Sequence, residues 1–171
     1  MKNTFTLLLI LVTGFILAQH NYPTPPEAKG RLFYIQHSNN HNTFVYDANL
    51  EGKGIDTADP VKVYRLTYTK GGIKEELSTM QRKMAYGVTV VNTEPGACCF
   101  TLAAYPEKKI FVRMEKDGKP HATVHVNGKN IMLKKMFLLA GKMGTSVEYI
   151  DFYGKDAATG KEVKERLYIK G

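Results

Sequence analysis

Two glycine-containing dipeptides, Asp117-Gly118 and Asn127-Gly128, bracket the run "HATVHVN" and leave the chain few ways to fold there. Each pair suits the left-handed angles of a type I′ turn, which joins adjacent antiparallel strands. Within the run Ala122, Val124 and Val126 fall on one side and His121, Thr123 and His125 on the other, the period of a half-buried strand. Residues 109–116, 120–126 and 129–138 are therefore predicted to form an antiparallel meander. Upstream, 31–37, 43–48, 60–69, 86–92 and 98–105 are rich in Val, Phe, Tyr and Thr and read as further strands. Downstream, "TSVEYIDFYG" and "EVKERLYIK" flank the polar loop "KDAATG" as another hairpin, giving about ten short strands. One segment departs from the pattern. In "KEELSTMQRKM" Leu77, Met80 and Met84 recur at helical spacing, with acids leading and bases trailing, which predicts a short helix over 75–84. The fold class is mainly β: a single antiparallel β-sandwich or barrel with one short helix, the choice between the two left open.

The first residues set the compartment. Lys2 gives a positive start, Leu7 to Leu17 form an apolar stretch, and Ala18 suits position −1 of a cleavage site, although Ile16 at −3 is larger than usual. At 11 residues the stretch is short of the roughly 20 that a membrane-spanning helix needs, so a cleavable signal over 1–18 is expected rather than an uncleaved anchor. No cysteine stands near the cut to carry a lipid, and a periplasmic or secreted protein with no stable membrane span follows. Residues 19–30 hold three prolines and read as an extended linker before a single β-rich domain over 31–169. Removing Lys2 with the leader takes the formal charge from +8 to +7, which favours anionic partners. The basic residues are scattered, with Lys-Lys doublets only at 108–109 and 134–135 and no longer run, so nucleic acid is not an expected partner.

The polar clusters carry weak chemical signals. In "QHSNNHN" a two-residue Asn39-Asn40 turn would pair His37 with Asn42 and Ser38 with His41, sending the two histidines to opposite faces. His121 and His125 share a face but stand roughly 13 Å apart along a strand, too far to share one ion. "DANLEGKGID" spaces Asp47, Asn49, Glu51 and Asp56 like a calcium loop, yet Ala58 falls where an EF-hand needs its bidentate glutamate. No metal and no cofactor are expected. Cys98-Cys99 is a vicinal pair, read as two free thiols with at least one in the core, because neighbouring Cα atoms are closer than an ordinary disulfide allows. No G-x-S-x-G, H-E-x-x-H or P-loop is present, which leaves a Cys/His pairing between Cys98 or Cys99 and His121 or His125 as the open enzymatic route. At the helix-to-strand junction "QRKMAYGV", Arg82 could clamp an anion beside Gln81 and Tyr86, or tie the helix end to nearby carbonyls, with Gly87 supplying an unusual backbone angle.

The segments "RLFYIQHSNNHNTFVYDANL", "DPVKVYRLTY", "QRKMAYGV" and "VEYIDFYGKDAATGK" resemble, in order and over roughly 31–169, the family catalogued as a domain of unknown function, DUF4833. That resemblance implies a small exported, mostly β protein of Bacteroidetes-type bacteria, without an established activity or ligand. Its recurrent polar marks fall on Gln36, Asn42, Asp47, Gln81, Arg82 and Tyr86, which become the candidate binding residues.

The expected function is a non-enzymatic binding or structural module of the envelope, its partner a polysaccharide, a peptide or another protein. A site would lie where Gln81, Arg82 and Tyr86 meet the loop around Asp47. Two alternatives are a carrier of a small apolar ligand with a cavity lined by Tyr, Phe and Met, and a hydrolase or redox enzyme built on the Cys98-Cys99 region.

Overall fold

The computed structural model describes residues 22–141 and 146–169. The expected leader, 1–18, and the first residues of the expected linker lie outside the described residues. Thirteen strands follow in order: β1 Arg31–His37, β2 Asn40–Ala48, β3 Leu50–Glu51, β4 Gly54–Ile55, β5 Val61–Thr67, β6 Ile73–Glu76, β7 Val88–Glu94, β8 Ala97–Leu102, β9 Tyr105–Met114, β10 Pro120–Val126, β11 Lys129–Ala140, β12 Val147–Asp156 and β13 Glu162–Tyr168. A helix, α1 Thr79–Met84, and a 3-10 turn, Tyr68–Lys70, complete the described residues. The chain is mainly β, as its sequence predicts. The count exceeds ten because β3, β4 and β6 are too short to leave a periodic signal.

Eleven strands belong to one sheet that branches at β11. One edge of β11 pairs with β12 from Ile131↔Asp156 to Ala140↔Val147. The other edge is shared: residues 129–132 pair antiparallel with β10, and residues 135–138 pair parallel with β1. Two arms leave this fork, β1-β2-β5-β6 and β10-β9-β8-β7, and they pack face to face. Phe33 and Tyr46 of the first arm stack at 4.5 Å between ring centroids, and Phe33 meets Phe100 of the second arm at 6.4 Å. All three rings are fully buried. The result is an open sandwich, since β6, β7 and β13 each have one strand partner among the described residues. The β3–β4 hairpin buries Ile55 in the core beside β8 at one end, and α1 lies toward the other.

The turns show which local rules decided the register. Asn127 (φ 48°) and Gly128 (φ 79°) both sit in the left-handed region, as the expected type I′ turn requires. Asp117-Gly118 differs: Gly118 alone is left-handed (φ 75°), its N–H donates to the Glu115 carbonyl at 3.0 Å, and Glu115 N–H donates to Lys119 at 2.9 Å. This is a three-residue loop with glycine in its left-handed position, which needs no positive φ at Asp117. At the β1–β2 turn His37 pairs with Asn40, not Asn42, because a bulge between Gln36 and His37 absorbs the difference. The expected helix over 75–84 is shortened at its start. Ser78 caps it in a reciprocal box with Gln81, while Glu75 and Glu76 belong to β6 and pair with Arg65 and Tyr64. A strong cap after an available sheet edge outweighs the helical spacing of Leu77.

The segment 22–30 has no regular element, and it is docked rather than loose. Tyr22 packs edge-on against Phe137 at 5.9 Å and His41 at 4.7 Å, the Pro23 carbonyl accepts from Thr43 Oγ1 at 2.7 Å, and Pro25 is buried. It thus runs over the outer face of the first arm. On that face Tyr34, Val45, Tyr64 and Leu66 form a second small apolar cluster.

Candidate functional site

The six residues singled out by the sequence do not gather on one surface: Gln36, Asn42 and Asp47 belong to the first arm, Gln81 and Arg82 to α1, and Tyr86 to the segment after it. Gln36 is buried and donates from Nε2 to Thr43 Oγ1 at 3.1 Å. Asn42 accepts the Tyr68 N–H at 3.0 Å. Asp47 takes Arg31 Nε at 2.5 Å and the Tyr64 hydroxyl at 3.1 Å on the outer side. Gln81 is spent on the α1 cap, accepting the Ser78 N–H at 3.0 Å, and Arg82 is exposed at 3.4 Å from Glu76. Tyr86 lies on the inner side, stacked on Phe44 at 3.4 Å between centroids, with its carbonyl accepting from the Tyr46 hydroxyl at 2.7 Å. The first arm therefore stands between Tyr86 and Asp47, and the expected meeting of the 81–86 junction with the Asp47 loop does not form. Gly87 also has a different reason from the one expected. Its φ is not in the left-handed region; instead a Cβ would sit 2.8 Å from the Arg82 carbonyl carbon, so glycine lets the chain double back across the helix end.

What the structure does assemble is a pocket of about 370 Å³ at the α1 end of the sandwich. Ile35 and His37 of β1, Leu102 of β8, Met136 and Leu138 of β11 and Ile150 of β12 supply wall from both arms and from the shared strands. Tyr86, Tyr105, Met84 and Ile169 close its sides. Its volume lies within the roughly 300–1,000 Å³ of small-molecule sites. Among the described residues that line it there is no Asp, Glu, Lys or Arg.

Three ring side chains, alongside Asn39 and Ser146, give this wall polarity. The His37 ring lies over Phe44 (5.8 Å) and Tyr86 (6.1 Å). Burial holds its pKa below the ordinary 6.5, so at neutral pH it is an uncharged imidazole with one donor and one acceptor. Burial likewise pushes the Tyr86 phenol up to about 12, keeping it a donor, and raises Tyr105. None of the three side chains has a hydrogen-bond partner among the described residues, so their polar atoms remain available to a molecule in the pocket.

The His37 shift carries a pH consequence. The folded-state pKa lies below the unfolded value, so the unfolded chain takes the proton first. Stability from the neutral imidazole is present above about 6.5 and is lost as the pH falls through the folded-state value. Thermal melts between pH 7.5 and 5 should show a falling melting temperature, and His37→Phe should flatten the slope in that window. A slope identical in the variant would place the titrating group elsewhere.

The other clusters do not converge. His41 lies between Tyr22 and Tyr68 on the outer side, away from the His37 ring in the core. In the calcium-like loop, Asp56 accepts the Ala58 N–H at 2.8 Å and the Asp59 N–H at 3.3 Å, an ordinary Asx turn, while Asp47 belongs to Arg31. Among the described residues no group of three His, Cys, Asp or Glu side chains could hold a metal ion, and no helix is long and apolar enough to cross a membrane. Cys98 and Cys99 are free and buried in β8. Burial, then the neighbouring thiol, pushes Cys98 up to about 11, and burial raises Cys99. A thiolate nucleophile needs the opposite shift. His121 pairs with Arg113, which in turn faces Ala97, placing it two strands and ~10 Å from the β8 backbone.

Fold and pocket together define an all-but-helix-free β domain with a ligand-sized cavity between its arms, its described lining uncharged. The chain belongs to the family described as Domain of unknown function (DUF4833), whose family model matches residues 33–166. No curated protein and no solved structure matches it.

Proposed function

We propose that this domain is a non-enzymatic module of the bacterial envelope that takes a small, uncharged, mostly apolar ligand into the pocket at the α1 end. The observation that carries the reading is the combination of walls with no charged residue among the described ones and three polar groups, buried His37 and half-buried Tyr86 and Tyr105, whose side chains have no hydrogen-bond partner among the described residues. Apolar walls supply affinity, and His37, Tyr86 and Tyr105 orient a carbonyl or hydroxyl of the guest. An anionic or cationic head group is disfavoured, because a neutral imidazole and two phenols offer no counter-charge in a desolvated site. Export, which the leader-like residues 1–18 lead one to expect, would bring the protein to where such guests are shed, taken up or held. A polysaccharide or peptide reading draws less support, since the six family-marked residues do not share one surface.

Titration with N-phenyl-1-naphthylamine, a neutral apolar dye, tests this. Its fluorescence should rise saturably with one dye per chain. Ala140→Trp, which sets an indole at the pocket wall, should weaken binding by about tenfold or more with the circular dichroism unchanged. Non-saturating binding, or equal binding to the filled variant, would sink the reading.

A further inference from the structure

A second concavity, of about 910 Å³, opens where the sheet forks. Its origin is topological. β10 pairs with β11 only as far as Met132, and β1 begins pairing only at Lys135, so residues 133–134 have neither neighbour on that edge. A bulge between Leu133 and Lys135 against β12 leaves Lys134 exposed at this spot, and bulges commonly re-aim a side chain. Four separate segments then bring cations to one groove: Lys29 from the docked 22–30 segment, Lys119 from the β9–β10 turn, Lys134 from β11 and Lys155 from β12. Arg31 and His121 also line it.

What sets the four lysines apart is that they line one groove, while the ion-paired carboxylates of the fold are engaged with other cations. Asp47 holds Arg31; Glu75 holds Arg65 and Lys70; Glu165 holds Lys129; Asp151, almost wholly buried, holds Arg166 at 2.6 Å and Lys164 at 2.9 Å. Among the described residues Lys29, Lys119, Lys134 and Lys155 have no carboxylate within ion-pair distance, although Glu27 and Glu162 belong to the same lining. Like charges converging from four segments around a concave surface raise the local potential and concentrate anions there. Point-charge ammonium groups, with no free arginine fork, suit a ligand that presents several anionic groups in varied directions.

We infer that the fork groove binds a compact oligoanion, a ligand carrying several phosphate, sulfate or carboxylate groups, independently of the apolar pocket. Two probes separate the sources of that charge: tripolyphosphate and trigalacturonate, each titrated calorimetrically into the full mature chain. At least one should bind, with affinity falling as salt is raised. Lys119→Glu/Lys155→Glu should weaken that binding by about tenfold or more, whereas Lys53→Glu/Lys83→Glu, with the same change in net charge outside the groove, should change it by less than about twofold. Preference for tripolyphosphate assigns a phosphorylated ligand, and preference for trigalacturonate an acidic glycan. Equal losses in the two double variants would reduce the effect to overall charge and overturn the inference, as would binding of neither probe. Unchanged melting temperatures keep a folding defect from imitating the result.

Discussion

Gly154→Ala is expected to destabilise the domain by about 4 kcal/mol or more, lowering its melting temperature by roughly 10 °C or more. Gly154 pairs with Leu133 on one side and Val163 on the other, at the bulge that shapes the fork. A Cβ there would lie 2.9 Å from the Met132 carbonyl carbon, nearer still to its oxygen, and 3.0 Å from Ile131 Cγ2. That carbonyl belongs to β11, which also holds β10 and β1, so yielding on one edge disturbs pairings on the other. Gly160→Ala makes a fair comparison. It has open space around it but a left-handed φ of 69°, and should cost about 1 kcal/mol from backbone conformation alone. Thermal and urea melts of the two variants decide the matter. Similar small losses would mean that β12 can shift away from β11, and the fork would be less rigid than described.

Phe33→Ala should cost about 3–5 kcal/mol. Phe33 has no exposed surface, stacks on Tyr46, and reaches Phe100 across the sandwich, so its removal opens a void at the join between the two arms. The neighbours cannot collapse into the space cheaply, because Tyr46 is tethered through its hydroxyl to the Tyr86 carbonyl. Tyr46→Phe, which deletes that one hydrogen bond while keeping the ring, should cost only ~1 kcal/mol. If the two variants lose comparable stability, the arms are held by the hydrogen bond at the pocket rim and not by aromatic packing.

The local signals of the sequence were legible and the long-range ones were not. Asn127-Gly128 states its own turn, and the alternation of 120–126 states its own strand, because both depend on neighbours along the chain. The helix was legible in kind, but its start was not: the Ser78–Gln81 box and the open edge of β5 compete for residues 75–78, and only the fold supplies that edge. Parallel pairing of Tyr34 with Lys135 joins segments with no turn between them, so no local motif announces the fork. The pocket is hidden for the same reason. His37 drew notice as one of two clustered histidines, yet its role as a neutral wall residue follows from Leu138, Ile150 and Tyr105, which come from distant parts of the chain. The family-marked residues Gln36, Asp47 and Gln81 were conspicuous for their polarity, and the structure gives each a nearby intramolecular partner.

The measurement that bears most directly on the proposed function is methyl NMR of the protein titrated with N-phenyl-1-naphthylamine. Methyl signals of Ile35, Leu102, Leu138 and Ile150 should shift along one saturation curve, while those of Val112 and Val126, which do not line the pocket, stay in place. Shifts scattered over exposed methyls, or none at the four pocket residues at saturating dye, would contradict a ligand site between the arms.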